Sequence, residues 1–237
     1  MFDTIIIIPY RNRKTHIEYF IKNSVPILQK ELPNSKLVII EQDWNNNLFN
    51  RGCLLNIGVK EYQDNSKYII THDVDINPLY KSVVELYKPD TDNNNIRGIY
   101  NLSSNCDTLG GIIKMKTDTF IKINGFPNDI WGWGAEDIAL KHRADYFNIK
   151  ITKTFIEDEN FKKNYEQMNK NENFVVFNDI NDRNGINNGV NIYKYNLSRF
   201  TDNKIDNIYS SGFNNLNYKI IEKKHINDYV ELITVSI

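Results

Sequence analysis

The apolar positions of this chain come in short blocks that alternate between a strand pattern and a helix pattern. Ile5–Ile8 is an unbroken run of isoleucines, as expected for a strand buried on both faces of a parallel sheet. It is predicted to end at Pro9, with Tyr10-Arg11-Asn12-Arg13 as a strand-to-helix loop. Ile17, Phe20, Ile21, Ser24, Val25 and Leu28 then recur at helical spacing, predicting one helix to about Lys30. Leu37–Ile40 reads as a second buried strand, followed by Glu41-Gln42-Asp43. Phe49-Asn50-Arg51 leads into a helix carrying Leu54, Leu55, Ile57, Gly58 and Tyr62. Tyr68-Ile69-Ile70 forms a third strand and delivers Thr71-His72-Asp73-Val74-Asp75 at its end. Three strand-then-helix units imply a parallel sheet with helices on both faces. Such sheets bind ligands beyond the carboxyl ends of their strands, where the polar clusters 9–13, 41–43 and 71–75 all fall.

Further on, the pattern weakens. Asp90–Ile96 reads as a polar loop, Ile99–Leu102 and Gly110–Met115 as strands, and Ile149–Phe155 as another. Between them lies Gly125-Phe-Pro-Asn-Asp-Ile-Trp-Gly-Trp-Gly-Ala-Glu-Asp137, which has neither helical nor strand periodicity. Gly125, Gly132 and Gly134 allow unusual backbone angles and close approach to a ligand. A helix is expected from about Glu136, with Ala139, Leu140, Arg143, Ala144 and Phe147 at its spacing. Residues 157–190 are polar and aperiodic, the profile of a functional or mobile loop. Tyr218–Glu222 and Val230–Val235, with a polar turn between, predict a closing β-hairpin. The whole is expected to be one α/β domain over residues 1–237. Its segments are 1–100, 101–156, the polar loop 157–190 and the C-terminal strands 191–237.

Composition narrows the function. A net charge of −1 over 237 residues gives no support to general nucleic-acid or membrane-surface binding. Cys53 and Cys106 lie outside any metal-ligand spacing, and reduced thiols are the default reading, with a single disulfide left open. The chain begins Met-Phe-Asp-Thr and runs into Ile5, with no basic and apolar leader and no apolar run of membrane-spanning length. A soluble protein with no secretion signal is expected on that basis.

The chemistry-bearing residues converge on one class. Asp73 and Asp75 resemble a carboxylate pair for Mn²⁺ or Mg²⁺, although an Asp-x-Asp is also a common solvated turn. Arg11, Arg13 and Arg51 can supply positive charge to a diphosphate. Trp131 and Trp133 flank Gly132 and offer a flat face for a sugar, and Glu136-Asp137 can bind hydroxyls or act as a general base. The bland reading of that segment is a tight turn with buried indoles and an acidic helix start. No GxxxxGK[ST], GxGxxG, GxSxG or HExxH is present, which removes P-loop, dinucleotide, serine-hydrolase and zinc-hydrolase readings.

Ile6-Ile7-Ile8-Pro9-Tyr10-Arg11-Asn12-Arg13, Phe49-Asn50-Arg51-Gly52-Cys53-Leu54-Leu55-Asn56-Ile57-Gly58, Asp73-Val74-Asp75, Gly110-Gly111 and Asn124–Asp137 resemble the β-1,4-galactosyltransferase family in order and approximate spacing. The resemblance covers roughly residues 4–150 and resumes faintly at Leu216-Asn217-Tyr218 and Ile233-Thr234-Val235. It implies a GT-A fold: a mostly parallel central sheet with flanking helices and a small C-terminal hairpin, with 1–100 as nucleotide-binding half, 101–156 as donor-sugar and acceptor half and 157–190 as lid. It also implies inverting transfer of galactose, or a related hexose such as GalNAc, from a UDP-sugar to a saccharide or glycoprotein acceptor, with Mn²⁺. By position, Pro9, Tyr10, Arg11, Arg13, Phe49 and Arg51 would hold the uridine and diphosphate, with Asp73 and Val74 beside the nucleotide and Asp75 on the metal. Gly111, Trp133, Glu136 and Asp137 would line the donor-sugar and acceptor pocket, with Asp137 as general base.

Three features depart from the family pattern. Its Met-x-x-His or His-x-His metal motif has no counterpart, since residues 155–175 contain no histidine; Glu157, Asp158 or Glu159 is the substitute to consider. Thr108 stands where galactose-specific members carry an aromatic residue, which opens space for UDP-GalNAc or UDP-GlcNAc. The family's membrane anchor and stem have no counterpart before Ile5, from which a bacterial or viral enzyme working in the cytoplasm is expected. The rival from another class is a non-catalytic nucleotide- or glycan-binding module.

Overall fold

The computed structural model describes residues 1–44, 47–78, 84–89, 95–100, 109–132, 134–153, 194–198 and 210–237. In chain order the elements are β1 (Phe2–Tyr10), α1 (Lys14–Asn23), α2 (Val25–Glu31), β2 (Ser35–Gln42), α3 (Arg51–Tyr62) and β3 (Ser66–His72). Then come β4 (Ile96–Tyr100), β5 (Ile112–Lys116), α4 (Thr117–Lys122), α5 (Glu136–Tyr146), β6 (Ile151–Lys153), β7 (Lys219–His225) and β8 (Val230–Ser236). Among the described residues they build one eight-stranded sheet in the order β6-β4-β5-β3-β1-β2-β8-β7.

The isoleucine run lies at the centre of this sheet because both its faces are covered. Ile5 and Ile7 point into a core with Leu54, Leu55 and Ile57 of α3, Phe120 of α4 and Leu140 of α5. Ile6 and Ile8 point the other way, onto Ile17 and Phe20 of α1 and Leu28 of α2. A period of two along the strand thus feeds two separate cores. β1 pairs in parallel with both β2 and β3, as the strand-then-helix pattern implies.

Several expectations need correction. The single helix to Lys30 is two helices, broken at Ser24, with Pro26 in the first turn of α2. Proline has no N–H to donate to the preceding turn, so it is accommodated at a helix start and not in an interior. β1 continues through Pro9 to Tyr10. Among the described residues of the Ile149–Phe155 segment the strand is Ile151–Lys153, with Thr154 and Phe155 outside the described residues. Ile96 belongs to β4 and not to the preceding loop. β5 runs antiparallel to both β3 and β4, so the sheet is mixed although mostly parallel. The C-terminal hairpin forms as expected and extends the main sheet: β8 lies parallel beside β2, with β7 antiparallel outside it. The predicted lid at 157–190, Leu102 and Cys106 lie outside the described residues. Among the described residues no helix is long and apolar enough to cross a membrane.

Candidate active site

Because β1, β2 and β3 run parallel, the polar residues that follow them emerge at one edge of the sheet. After β1, Asn12 takes a left-handed conformation (φ 51°), which asparagine tolerates better than most residues. Arg13 Nη1 lies 3.4 Å from Asp75 Oδ2 in the turn after β3. Arg11 donates to the Asn47 carbonyl at 2.8 Å. Its guanidinium lies 5.6 Å from the ring centroid of Trp44 and 5.5 Å from that of Phe49, within cation–π range of both. Pro9 and Val74 are buried beneath these loops and Tyr10 is half-buried.

The start of α3 brings in the second basic group. Asn50 caps the helix by accepting from Cys53 N at 3.0 Å, and its amide donates to the Asn128 carbonyl at 2.7 Å. Arg51, the first helical residue, reaches two carboxylates. Its Nε and Nη2 lie 2.8 and 2.7 Å from Asp73 Oδ1, and its Nη1 lies 3.5 Å from Glu136 Oε1. Burial opposes the guanidinium charge, but Asp73 and then Glu136 more than offset it, and the pKa is raised. Burial, opposed by Arg51 and assisted by Asp137, pushes the Glu136 carboxyl up to about 7. Its second oxygen, Oε2, is buried with no hydrogen-bond partner among the described residues. Asp75 is pushed up to about 6, by burial first and then by the charge of Asp73, against the pull of Arg13.

The glycine-rich turn is held by buried amides. Asn56 on α3 donates to the Phe126 carbonyl at 2.7 Å and to Asn128 Oδ1 at 2.8 Å, and accepts from Phe126 N at 2.9 Å. Arg143 on α5 donates to the carbonyls of Asn124, Gly125 and Ser211. Gly125 has φ 54°, and a Cβ there would lie 2.3 Å from Asn56 Oδ1, so glycine is required on both counts. Gly132 N donates to the Phe49 carbonyl at 2.8 Å, tying the turn to the entry of α3. Ala135, fully buried, takes a left-handed φ of 78° immediately before α5. A non-glycine residue held this way costs about 1–2 kcal/mol, and such strain gathers at functional sites.

The result is that α5 opens with Glu136 and Asp137 facing the strand ends, where the positive end of the helix favours carboxylates. Asp137 is half-buried and accepts from Ile138 N at 2.9 Å through Oδ1. Its carbonyl accepts from Leu109 N at 3.2 Å. A Cβ added at Gly110 would come within 3.1 Å of Asp137 Oδ2, so the Gly110-Gly111 turn runs directly alongside this carboxylate.

The structure therefore joins Arg13 to Asp75, Arg51 to Asp73 and Glu136, and Asp137 to the glycine pair. Trp133, Thr108, Glu157, Asp158 and Glu159 lie outside the described residues. Reasoning from sequence missed Trp44 over Arg11, His72 behind the acidic turn, and the Arg51–Glu136 pair. It also missed Asn56, although a polar residue on an otherwise apolar helix face was a visible signal. Among the described residues no group of three or more His, Cys, Asp or Glu converges as a complete metal site. The aspartate oxygens of 73 and 75 are of the donor type that hard divalent cations take, so this part fits Mn²⁺.

Residues 2–88 match the family described as the N-terminal region of glycosyl transferase group 7, and residues 99–167 match that described as the N-terminal domain of galactosyltransferase. Human β-1,4-galactosyltransferase 6 is 32% identical over 164 residues, covering 62% of this chain and 40% of its own length. Human β-1,4-galactosyltransferase 4 is 33% identical over 160 residues, covering 64% of this chain and 45% of its own. The chain thus spans less than half the length of these relatives. Among solved structures, a Drosophila β-1,4-galactosyltransferase 7 mutant in complex with manganese, UDP-Gal and xylobiose superposes with a TM-score of 0.76 at 21% identity, covering 100% of this chain and 94% of that one. The catalytic domain of the same fly protein with xylobiose gives 0.75 at 21% identity, with the same coverage. At that identity the likeness establishes the GT-A fold.

Proposed function

Since the chain belongs to the β-1,4-galactosyltransferase family, we propose that it transfers galactose, or a related hexose such as GalNAc, from a UDP-sugar to a saccharide acceptor with inversion. The observation that carries this reading is the meeting of the Glu136-Asp137 helix start with Arg51–Asp73 and Arg13–Asp75 at one end of the sheet. The related fly protein crystallised with manganese, UDP-Gal and xylobiose supports the same donor, cation and acceptor class.

In this reading Phe49, Tyr10, Pro9 and Val74 hold the nucleotide, and Arg11 and Arg13 face its diphosphate. Arg51, locked between Asp73 and Glu136, sets the spacing between the donor side and the acceptor side. Gly111, Trp133, Glu136 and Asp137 line the sugar pocket, with Gly110 and Gly111 leaving the backbone open beside Asp137. Asp137 takes the proton of the acceptor hydroxyl. The hydroxyl oxygen forms its bond to the anomeric carbon as the bond from that carbon to the diphosphate oxygen breaks on the opposite face, and UDP leaves. Asp75 would hold the divalent cation, which when bound offsets charge on the departing diphosphate. Thr108 is the proposed determinant of which C2 substituent the donor carries.

The test is UDP release from UDP-Gal and UDP-GalNAc with a panel of mono- and disaccharide acceptors, alongside UDP binding by calorimetry. Asp137→Asn is expected to lower kcat by about 10²–10⁴-fold, the usual contribution of a general base, with the UDP dissociation constant unchanged. Undiminished turnover in this variant would remove Asp137 from the chemistry. UDP binding without turnover on any acceptor or on water would favour the binding-module reading.

A further inference from the structure

Behind the acidic turn lies a buried polar chain that the transfer reaction does not itself use. His72, the last residue of β3, is fully buried and packs edge-on against Phe20 at 5.2 Å. Its Nδ1 lies 2.8 Å from the Asp73 carbonyl oxygen, which can only accept, so Nδ1 carries the proton. Its Nε2 lies 2.8 Å from Tyr87 Oη and, in the neutral ring, accepts from that hydroxyl. Tyr87 is itself fully buried, in a short turn whose carbonyls at Leu86 and Lys88 both accept from Lys114 Nζ. Lys114 sits in β5, the strand antiparallel to β3.

A histidine at this point is not needed to fill space, since an apolar side chain would pack against Phe20 without burying two polar nitrogens. What the ring does that a leucine cannot is grip the peptide between Asp73 and Val74. That carbonyl also receives the weak 3.3 Å hydrogen bond from Ile76 N that closes the Asp73-Val74-Asp75 turn. The carboxylates of Asp73 and Asp75 project from the same turn toward Arg51 and Arg13.

We propose that His72 and Tyr87, anchored by Lys114, are positioning residues that lock the Asp73-Val74-Asp75 turn in the geometry it uses to hold a divalent cation and the diphosphate of a nucleotide. The proposal rests on the nucleotide-sugar reading above and adds the group that pre-organises its acidic turn. The three residues touch no substrate. They act through one backbone carbonyl, as groups behind a metal ligand commonly do.

The test uses the full chain in three variants: Tyr87→Phe, which removes only the hydroxyl; His72→Leu, which removes both hydrogen bonds; and His72→Asn, whose amide restores a donor beside the Asp73 carbonyl. Calorimetry at a temperature where each variant is fully folded measures UDP with Mn²⁺, UDP in EDTA, and uridine. Tyr87→Phe and His72→Leu are expected to weaken UDP–Mn²⁺ binding by about 10- to 100-fold, to leave uridine binding unchanged, and to raise KM for the donor more than they lower kcat. His72→Asn should recover most of the loss. In metal-free protein the Ile76 amide should exchange faster in His72→Leu than in wild type. Lowered melting temperatures with unchanged UDP–Mn²⁺ affinity would overturn the proposal and make the chain structural only. Equal weakening of uridine binding would also overturn it, because the effect would not be local to the acidic turn. Failure of the wild type to bind UDP under any condition would instead refute the nucleotide-sugar reading.

Discussion

Replacing Arg51 by methionine keeps the length and packing of the side chain and deletes its charge, leaving Asp73 and Glu136 facing each other. The Arg51 and Glu136 side chains are only 13% and 11% exposed, and that of Asp73 is 27% exposed. Breaking a buried pair by removing one partner costs about 3–5 kcal/mol. Two features reduce this here: Asp73 keeps some water, and Glu136 can shed its charge by taking a proton. A loss of about 2–4 kcal/mol follows, or roughly 4–16 °C in Tm for a chain of this size.

The pH dependence carries the sharper test. Glu136 titrates at about 7 in the folded protein against an ordinary 4.5, so it favours the folded state fully below 4.5 and loses that contribution as pH rises through 7. Arg51 is the neighbour that pulls this carboxyl down. Without it, Glu136 stays protonated to higher pH, so the destabilisation of Arg51→Met should be smaller near pH 5, where chiefly the Asp73 contact is lost, and grow towards pH 8. Urea unfolding at five pH values, with Glu136→Gln as the reference, measures this. A penalty that is flat with pH, or that survives undiminished in the Arg51→Met, Glu136→Gln double variant, would refute the claim that Arg51 serves Glu136.

Other outcomes follow from single sites. Gly58 lies on the face of α3 against β1, where an added Cβ would come 2.4 Å from Ile7 Cγ2 and 3.2 Å from Ile40 Cγ1. Gly58→Ala is therefore expected to cost about 1–3 kcal/mol of overpacking, despite the better helix propensity of alanine, seen as a lower urea midpoint with unchanged slope. A stabilised variant would mean that the two isoleucines yield. Cys53 is buried and its thiol is pushed up to about 12 by that burial. In a Cys106→Ser background it should react with a thiol reagent only through opening of the protein, many-fold slower than in the unfolded chain; labelling as fast as in the unfolded chain would contradict its burial.

Much of this molecule is determined by interactions that act within a few residues, and these are legible without a structure. The Ile5–Ile8 run sits between two helix layers because a strand covered on both faces hides four consecutive isoleucines. The polar residues after β1, β2 and β3 share one edge because parallel strands must end on the same side. Gly125, Gly132 and Gly134 adopt the left-handed backbone that their residue type permits, and Glu136 opens a helix whose dipole favours it. Local pattern failed where a nearby breaker competed with it, as at Pro26.

The tertiary structure alone decided what joins across long separations. Arg51 meets Asp73 and Glu136, 22 and 85 residues away, and His72 meets Tyr87 and through it the turn held by Lys114. The reversal of β5 beside β3, and the insertion of β8 next to β2, belong to the same class. Such pairings depend on the order of strands in the sheet, a balance of loop closure and burial summed over the whole chain, to which any single residue contributes little. A lone arginine, histidine or tyrosine therefore carries no mark in sequence of the partner that gives it its role.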